Sequence, residues 1–213
     1  MPPRYWNVQR QIADLGKLDG YLESLSDQER PLRQSEYFTG RVVLRSQVDA
    51  ARFWVLDSWT EKIALDAGTI MLRTLASVAG LSEEPRQVPF EQLEVGGNGL
   101  GEVESPKREE ADPLPFFLIS ENHVKNVTVD DYILAQDQFT RELEPFDGYR
   151  RRLLMQDIRR RQHFMVIDEW ASERQAYEAY EKRSAVMDEV TTTRFQALLQ
   201  ERGEQDFALS ISS

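Results

Sequence analysis

Phe164-Met165-Val166-Ile167-Asp168-Glu169-Trp170 and Phe53-Trp54-Val55-Leu56-Asp57-Ser58-Trp59 share one pattern at an offset of 111: an aromatic, three large apolar residues, an aspartate, a polar residue and a tryptophan. The same offset carried backward without a gap pairs Tyr5-Trp6 with Phe116-Phe117, Asp19 with Asp130, Tyr21 with Tyr132, Leu32 with Leu143 and Phe38 with Tyr149. Identities are few, yet the register holds from residue 5 to residue 59. A fixed register that outlasts identity reads as a duplicated domain.

The elements follow from the two copies. In the second, Phe116-Phe117-Leu118-Ile119 is an apolar run of strand type, and Thr128 with Asp131 makes a capping-box-like helix start. Tyr132, Gln136, Phe139, Leu143 and Phe146 then recur at helical spacing until Glu144-Pro145-Phe146-Asp147-Gly148 breaks the helix. Strands Tyr149 to Gln156 and His163 to Trp170 follow around a charged turn. A helix opens at Trp170-Ala171-Ser172-Glu173, with Ala176, Tyr177, Tyr180, Met187 and Val190 on one face, and a strand over Phe207–Ile211 closes the copy. The first copy repeats the order: strand 4–12, helix 14–33, strands 36–47 and 51–59, helix 61–79, strand 86–95.

Strand, helix, strand, strand, helix, strand is the ferredoxin-like split βαβ order, so the fold class is α+β. The domains read as 1–95 and 114–213, with 96–113 as linker. Gly96-Gly97-Asn98-Gly99-Leu100-Gly101 has no Lys-Ser/Thr to complete a phosphate loop, which leaves it to the linker. Each sheet has helices on one face only, and packing sheet to sheet within the chain as an α+β barrel would cover the other.

Composition removes other answers. Without cysteine there is neither a disulfide framework nor a thiolate metal site. The formal charge of −11 argues against nucleic acid as a partner. No apolar run reaches a membrane span, and Met1-Pro2-Pro3-Arg4-Tyr5-Trp6 lacks the apolar segment of a signal peptide, so a cytoplasmic protein without membrane contact is expected. No His/Asp/Glu constellation of metal-binding quality stands out, so the expectation is no metal.

Val166-Ile167-Asp168-Glu169-Trp170-Ala171-Ser172 followed by Gln175-Ala176-Tyr177 resembles the strand and helix opening of the antibiotic biosynthesis monooxygenase group of dimeric α+β barrels. Phe146-Asp147-Gly148-Tyr149 resembles the glycine-containing turn before that family's second strand. The resemblance covers about 100 residues of the second copy, and the first copy by pattern alone. Its members pair two chains into one barrel, so it implies a monomer that mimics a dimer, or a homodimer. The fold hosts oxygenases, haem-degrading enzymes, isomerases and proteins without known chemistry.

The resemblance implies a cofactor-independent monooxygenase acting on a small aromatic, phenol- or quinol-like molecule in a second-half cavity. Trp170 and Tyr177 fall where the quinone-forming members carry their site Trp and Tyr, the latter with one inserted residue, while Val166 stands where those members have an Asn. The haem-degrading members show Glu-Asn on the first strand, matched by Glu121-Asn122. Tyr180 and Val190 replace their helical Trp and their haem-ligating His, so haem is not carried over and no cofactor is expected. The expected catalytic set is Trp170, Tyr177 and Asn122, with Tyr180, Trp59, His123, Tyr132 and Phe139 lining the substrate site.

Each candidate has a second reading. A tryptophan at a strand end beneath a helix is also an ordinary core plug, and Trp59 and Trp170 occupy equivalent places. Tyr177 and Tyr180, expected on the sheet-facing side of their helix, serve equally as core. Strand alternation sets Asn122 with Ser120 and Leu118, and His123 on the other face. His163 at the hairpin is expected to be exposed, and Arg150-Arg151-Arg152 with Arg159-Arg160-Arg161 to be solvated or to hold an anion. A non-enzymatic small-molecule-binding or interaction protein on the same fold stays open as the alternative, with a haem-binding or haem-degrading protein as a third reading.

Overall fold

The computed structural model describes residues 4–47, 49–75, 81, 85–93, 115–125, 127–186 and 202–210. It divides into two compact units, Met1–Gln92 with Ser210–Ser213, and Leu93–Leu209. The glycine-rich stretch expected as linker, Met187 and Val190 lie outside the described residues.

Unit 1 comprises β1 (Tyr5–Ile12), α1 (Leu18–Leu32), β2 (Phe38–Ser46), β3 (Arg52–Trp59), α2 (Lys62–Leu75) and β4 (Arg86–Leu93). Its antiparallel sheet runs β4-β1-β3-β2. Unit 2 comprises β5 (Phe116–His123), α3 (Val129–Leu143), β6 (Tyr149–Asp157), β7 (His163–Trp170), α4 (Glu173–Val186) and β8 (Arg202–Ser210), in the order β8-β5-β7-β6. Both units therefore have the ferredoxin-like arrangement. Five element pairs, from β1 with β5 through α2 with α4, begin and end at the offset of 111, and only the last strand departs from it.

The capping chemistry explains the boundaries. Thr128 accepts from the Asp131 amide and starts α3. In unit 1 the equivalent helix begins at Leu18, after a short 3-10 turn over Leu15–Lys17 whose Asp14 carboxylate accepts from the Gly16 amide. β8 starts five residues before the apolar run that marks it in the sequence. Its Gly203-Glu204-Gln205-Asp206 segment has no strand-like composition, and pairing with β5 extends it, Ser120 opposite Gln205 and Asn122 opposite Arg202.

The turn that carries the family resemblance is held by side chains. Gly148 has φ +82, and a Cβ there would meet the Gln175 amide at 2.4 Å, so glycine is required. Gln175 donates to Asp147 (3.0 Å) and accepts from Ser172 (2.8 Å), while the Gly148 carbonyl takes the Ala171 amide (2.7 Å). Phe-Asp-Gly and Trp-x-Ser-x-x-Gln thus clamp the end of β7 and the start of α4 to the turn before β6. These residues specify the fold.

Helix-facing residues alternate along the strands. Tyr21 packs on Phe53 with ring centroids 4.9 Å apart, and their equivalents Tyr132 and Phe164 sit at 4.6 Å. Leu25 and Val55 surround the first pair, Leu154 and Val166 the second. Among the described residues no helix is long and apolar enough to cross a membrane.

Candidate active site

The interior between sheet and helices in unit 2 is organised around a buried ion pair. Arg152 on β6 donates to Asp168 on β7 through Nε (2.6 Å) and Nη2 (2.7 Å), and through Nη1 to Gln136 on α3 (3.0 Å). Tyr180 on α4 donates to the same carboxylate (3.0 Å), and the guanidinium lies 4.1 Å over the Phe139 ring. Burial opposes the charge on Arg152, but the Asp168 carboxylate outweighs it and drives its pKa upward.

The offset of 111 finds the same pair in unit 1. Arg41 donates to Asp57 through Nε (2.6 Å) and Nη2 (3.0 Å) and to the Leu25 carbonyl (2.9 Å). The pair is thus part of the repeated scaffold. The expectation of solvated arginines fails at Arg152, because Asp168 stands directly opposite it on the same face of the sheet.

What differs between the units is the surround of the tryptophan. Trp170, fully buried, packs with Phe116, Phe139, Leu143, Ala176 and Ala179, against partly buried Phe146, Tyr149 and Tyr180. Tyr149 meets Trp170 edge-on at 5.1 Å, and Phe38 meets Trp59 in the same way at 5.0 Å. Unit 2 has Phe139, Tyr149 and Tyr180 where unit 1 has Gln28, Phe38 and Thr69. Unit 2 therefore adds two aromatic rings and two phenol hydroxyls around an inherited tryptophan.

Among the described residues, two polar atoms there are buried without a hydrogen-bond partner: Trp170 Nε1 and the Tyr149 hydroxyl. Trp59 Nε1 is equally unbonded in unit 1, so the hydroxyl is what unit 2 adds. Burial first, then the nearby Asp168 charge, pushes the Tyr149 pKa well above the ordinary phenol value, against the opposing pull of Arg152. Tyr149 stays protonated and can only donate to, or accept from, a neutral or anionic guest as a phenol.

Of the residues expected in the site, Trp170, Tyr180 and Phe139 converge, Tyr180 lying 6.2 Å from Trp170 and 6.1 Å from Phe139 between ring centroids. Tyr177 does not face the sheet as expected. It is 46% exposed on the flank of α4, its ring 6.3 Å from Phe116, because Ala176, Ala179 and Tyr180 form the buried face. Asn122 is buried opposite Phe164, whereas Trp170 pairs with Phe116 at the other end of β5. Six residues of strand place the two about 20 Å apart. Tyr132 belongs to the separate cluster with Phe164, and Trp59 to unit 1.

The histidines need the largest revision. His163, expected to be exposed, is 1% exposed, held between the carboxylates of Asp157 and Glu121. His123 stacks on it, and both lie on the face away from the helices. No metal constellation stands out in the sequence, yet in the fold Glu121, His123 and His163 bring ligand atoms within 4.8 Å of one another. Tyr149 and Asp168 do not stand out in the sequence as candidate site residues, and Arg152 does so only within the run Arg150-Arg151-Arg152. The offset pairs Arg41 with Arg152 and Asp57 with Asp168, a signal present in the sequence.

No protein-family profile matches the chain, and no curated protein does. Solved structures do. An anthrone oxidase-like protein matches with a TM-score of 0.69 at 14% identity, covering 99% of this chain and 92% of its own. A candidate monooxygenase of Fusobacterium nucleatum gives 0.69 at 10% identity, covering 98% and 92%. A haem-binding protein of Thermus thermophilus gives 0.55 at 12% identity, covering 100% and 92%. At such identities the likeness shows the fold alone: two ferredoxin-like units in one chain.

Haem iron takes His, Cys, Met or Tyr as its axial ligand. In the interior of unit 2 burial holds the Tyr149 phenol protonated, and the Tyr180 hydroxyl is engaged with Asp168. The chain has no cysteine, and its two histidines, His123 and His163, stand at strand ends on the opposite sheet face.

Proposed function

We propose that the protein is a cofactor-independent monooxygenase that oxidises a small, electron-rich phenol or hydroquinone in the helix-facing interior of unit 2. The observation that carries this reading is the pair of unpartnered buried donors, Trp170 Nε1 and the Tyr149 hydroxyl, on rings 5.1 Å apart within an aromatic enclosure. An unpaired buried polar group costs about 1–3 kcal/mol, and such groups persist where a ligand completes them. Fold neighbours that include an anthrone oxidase-like protein and a candidate monooxygenase support the same reading.

The chemistry needs no external reductant. A phenol bound as its anion carries electron density onto a ring carbon, which reduces dioxygen. One oxygen atom enters the ring to give the quinone, and the other leaves as water with the two displaced hydrogens. Donors fixed at the phenolate oxygen stabilise the charge without reorganising, which is the largest contribution available to such a site. Phe116 and Phe139 supply apolar walls that exclude water.

The test is dioxygen uptake with a panel of hydroquinones and anthrones, comparing the parent with Trp170→Phe. Turnover lost in the variant, at unchanged thermal stability, supports the assignment. Turnover that persists removes Trp170 from it. A parent that binds these compounds without consuming oxygen is instead a small-molecule binder on the same fold.

A further inference from the structure

The face of the unit 2 sheet opposite Trp170 carries a second constellation of chemistry-bearing side chains. Glu121 and His123 alternate onto that face of β5, and the register sets His123 directly opposite His163 on β7. The two imidazoles stack with centroids 4.5 Å apart and planes 8° from parallel. His163 Nε2 lies 2.6 Å from Glu121 Oε1, and Nδ1 lies 2.9 Å from Asp157 Oδ2. Arg160 donates to Asp157 (2.9 Å) and reaches His163 Nδ1 (3.0 Å), and the Arg159 and Arg160 amides also bond Asp157.

A neutral imidazole has one N–H to share between two carboxylates. Donation from Nδ1 to Asp157 turns the Nε2 lone pair toward the oxygens of Glu121, an arrangement a cation between them would stabilise. None of this is inherited from the repeat: unit 1 has Arg10, Ile12, Arg52 and Ser46 at the places of Glu121, His123, His163 and Asp157.

We propose that Glu121, His123 and His163 form a site for a divalent transition cation such as Zn²⁺, with Asp157 accepting the His163 Nδ1–H as the orienting partner. Two imidazoles and a carboxylate are a three-ligand set that such ions take, with a further position left for water. The carboxylate–histidine–metal relay through Asp157 fixes the tautomer that leaves Nε2 for the metal. A cavity of about 550 Å³, lined by His123, His163, Arg160 and Gln162 among others, gives an ion its way in.

The experiment uses the full chain, stripped with chelator and titrated with Co²⁺ by calorimetry and visible absorption, then with Zn²⁺ in competition. We expect one Co²⁺ per chain, a visible ligand-field band, and displacement by Zn²⁺. His123→Ala and Glu121→Gln are each expected to weaken binding at least about tenfold. Metal-free melting curves of the variants matching the parent exclude misfolding as the cause. Absence of Co²⁺ and Zn²⁺ binding by the parent overturns the proposal, as does stoichiometric binding that survives both substitutions. Because the readout is binding and spectrum, it is independent of whether the Trp170 interior turns over a phenol.

Discussion

Arg152 and Asp168 share hydrogen bonds of 2.6 and 2.7 Å beneath the helices of unit 2, and Arg41 and Asp57 form the same two-bond pair 111 residues earlier. All four side chains are at most 5% exposed. Removing one partner leaves the other charge buried and unpaired, so Asp168→Asn and Asp57→Asn should each cost about 3–5 kcal/mol. Replacing both partners by apolar residues, as in Arg152→Met with Asp168→Leu, should cost far less than either single change. Urea unfolding midpoints at constant slope measure this. A double variant as unstable as Asp168→Asn would show that the pair contributes more than mutual neutralisation.

Two helical glycines should respond to alanine with opposite signs. A Cβ at Gly68 on α2 would stand 2.4 Å from Cζ2 of the Trp59 ring, which is fully buried and has no room to retreat. Gly68→Ala should therefore destabilise by about 1–3 kcal/mol. At Gly20 on α1 nothing lies within 4 Å of the added carbon. There alanine gains helix propensity alone, so Gly20→Ala should stabilise by about 0.5 kcal/mol. Thermal melting of the two variants beside the parent checks both signs.

Alkaline pH should weaken the fold through two tyrosines. Burial raises the pKa of Tyr21, against the charge of Arg41, and burial together with Asp168 raises that of Tyr149. A raised folded-state pKa means that the unfolded chain loses its proton first. The stability from these groups is then fully present below about pH 10, the ordinary phenol value, and is lost as pH rises above it. Each contributes a slope of up to about 1.4 kcal/mol per pH unit in that range. Tyr149→Phe should remove one proton's share from the slope between pH 9 and 11, read from denaturant midpoints.

The fold was legible because the repeat and the strand periodicity agree. The offset of 111 that aligns Phe53 with Phe164 in the sequence also aligns five pairs of elements in space. The candidate site was legible only in part. Trp170, Tyr180 and Phe139 come together because each faces the helix side of the sheet. Tyr177 misleads because Ala176 and Ala179 are small, so α4 seats Tyr180 on the sheet and leaves its neighbour on the flank. Asn122 shares a face with this group but stands at the far end of β5. The burial of His163 was hidden, since its carboxylate partners are 6 and 42 residues away along the chain.

The contrast between Tyr149 and Phe38 separates function from stability. Both rings meet their tryptophan edge-on at nearly the same distance, and only Tyr149 carries a hydroxyl, which is buried without a partner among the described residues. Tyr149→Phe removes an unsatisfied group while preserving the ring contact, so folding should be unharmed or slightly strengthened at neutral pH. If that hydroxyl donates to a developing oxyanion, the same substitution should lower turnover roughly 10²-fold. Phe38→Tyr performs the reverse operation in unit 1, burying a new hydroxyl at a cost of about 1–3 kcal/mol with no gain in activity. Stability and dioxygen uptake measured on both variants decide the matter. A Tyr149→Phe protein that is less stable and equally active would assign the hydroxyl to the scaffold and remove it from the site.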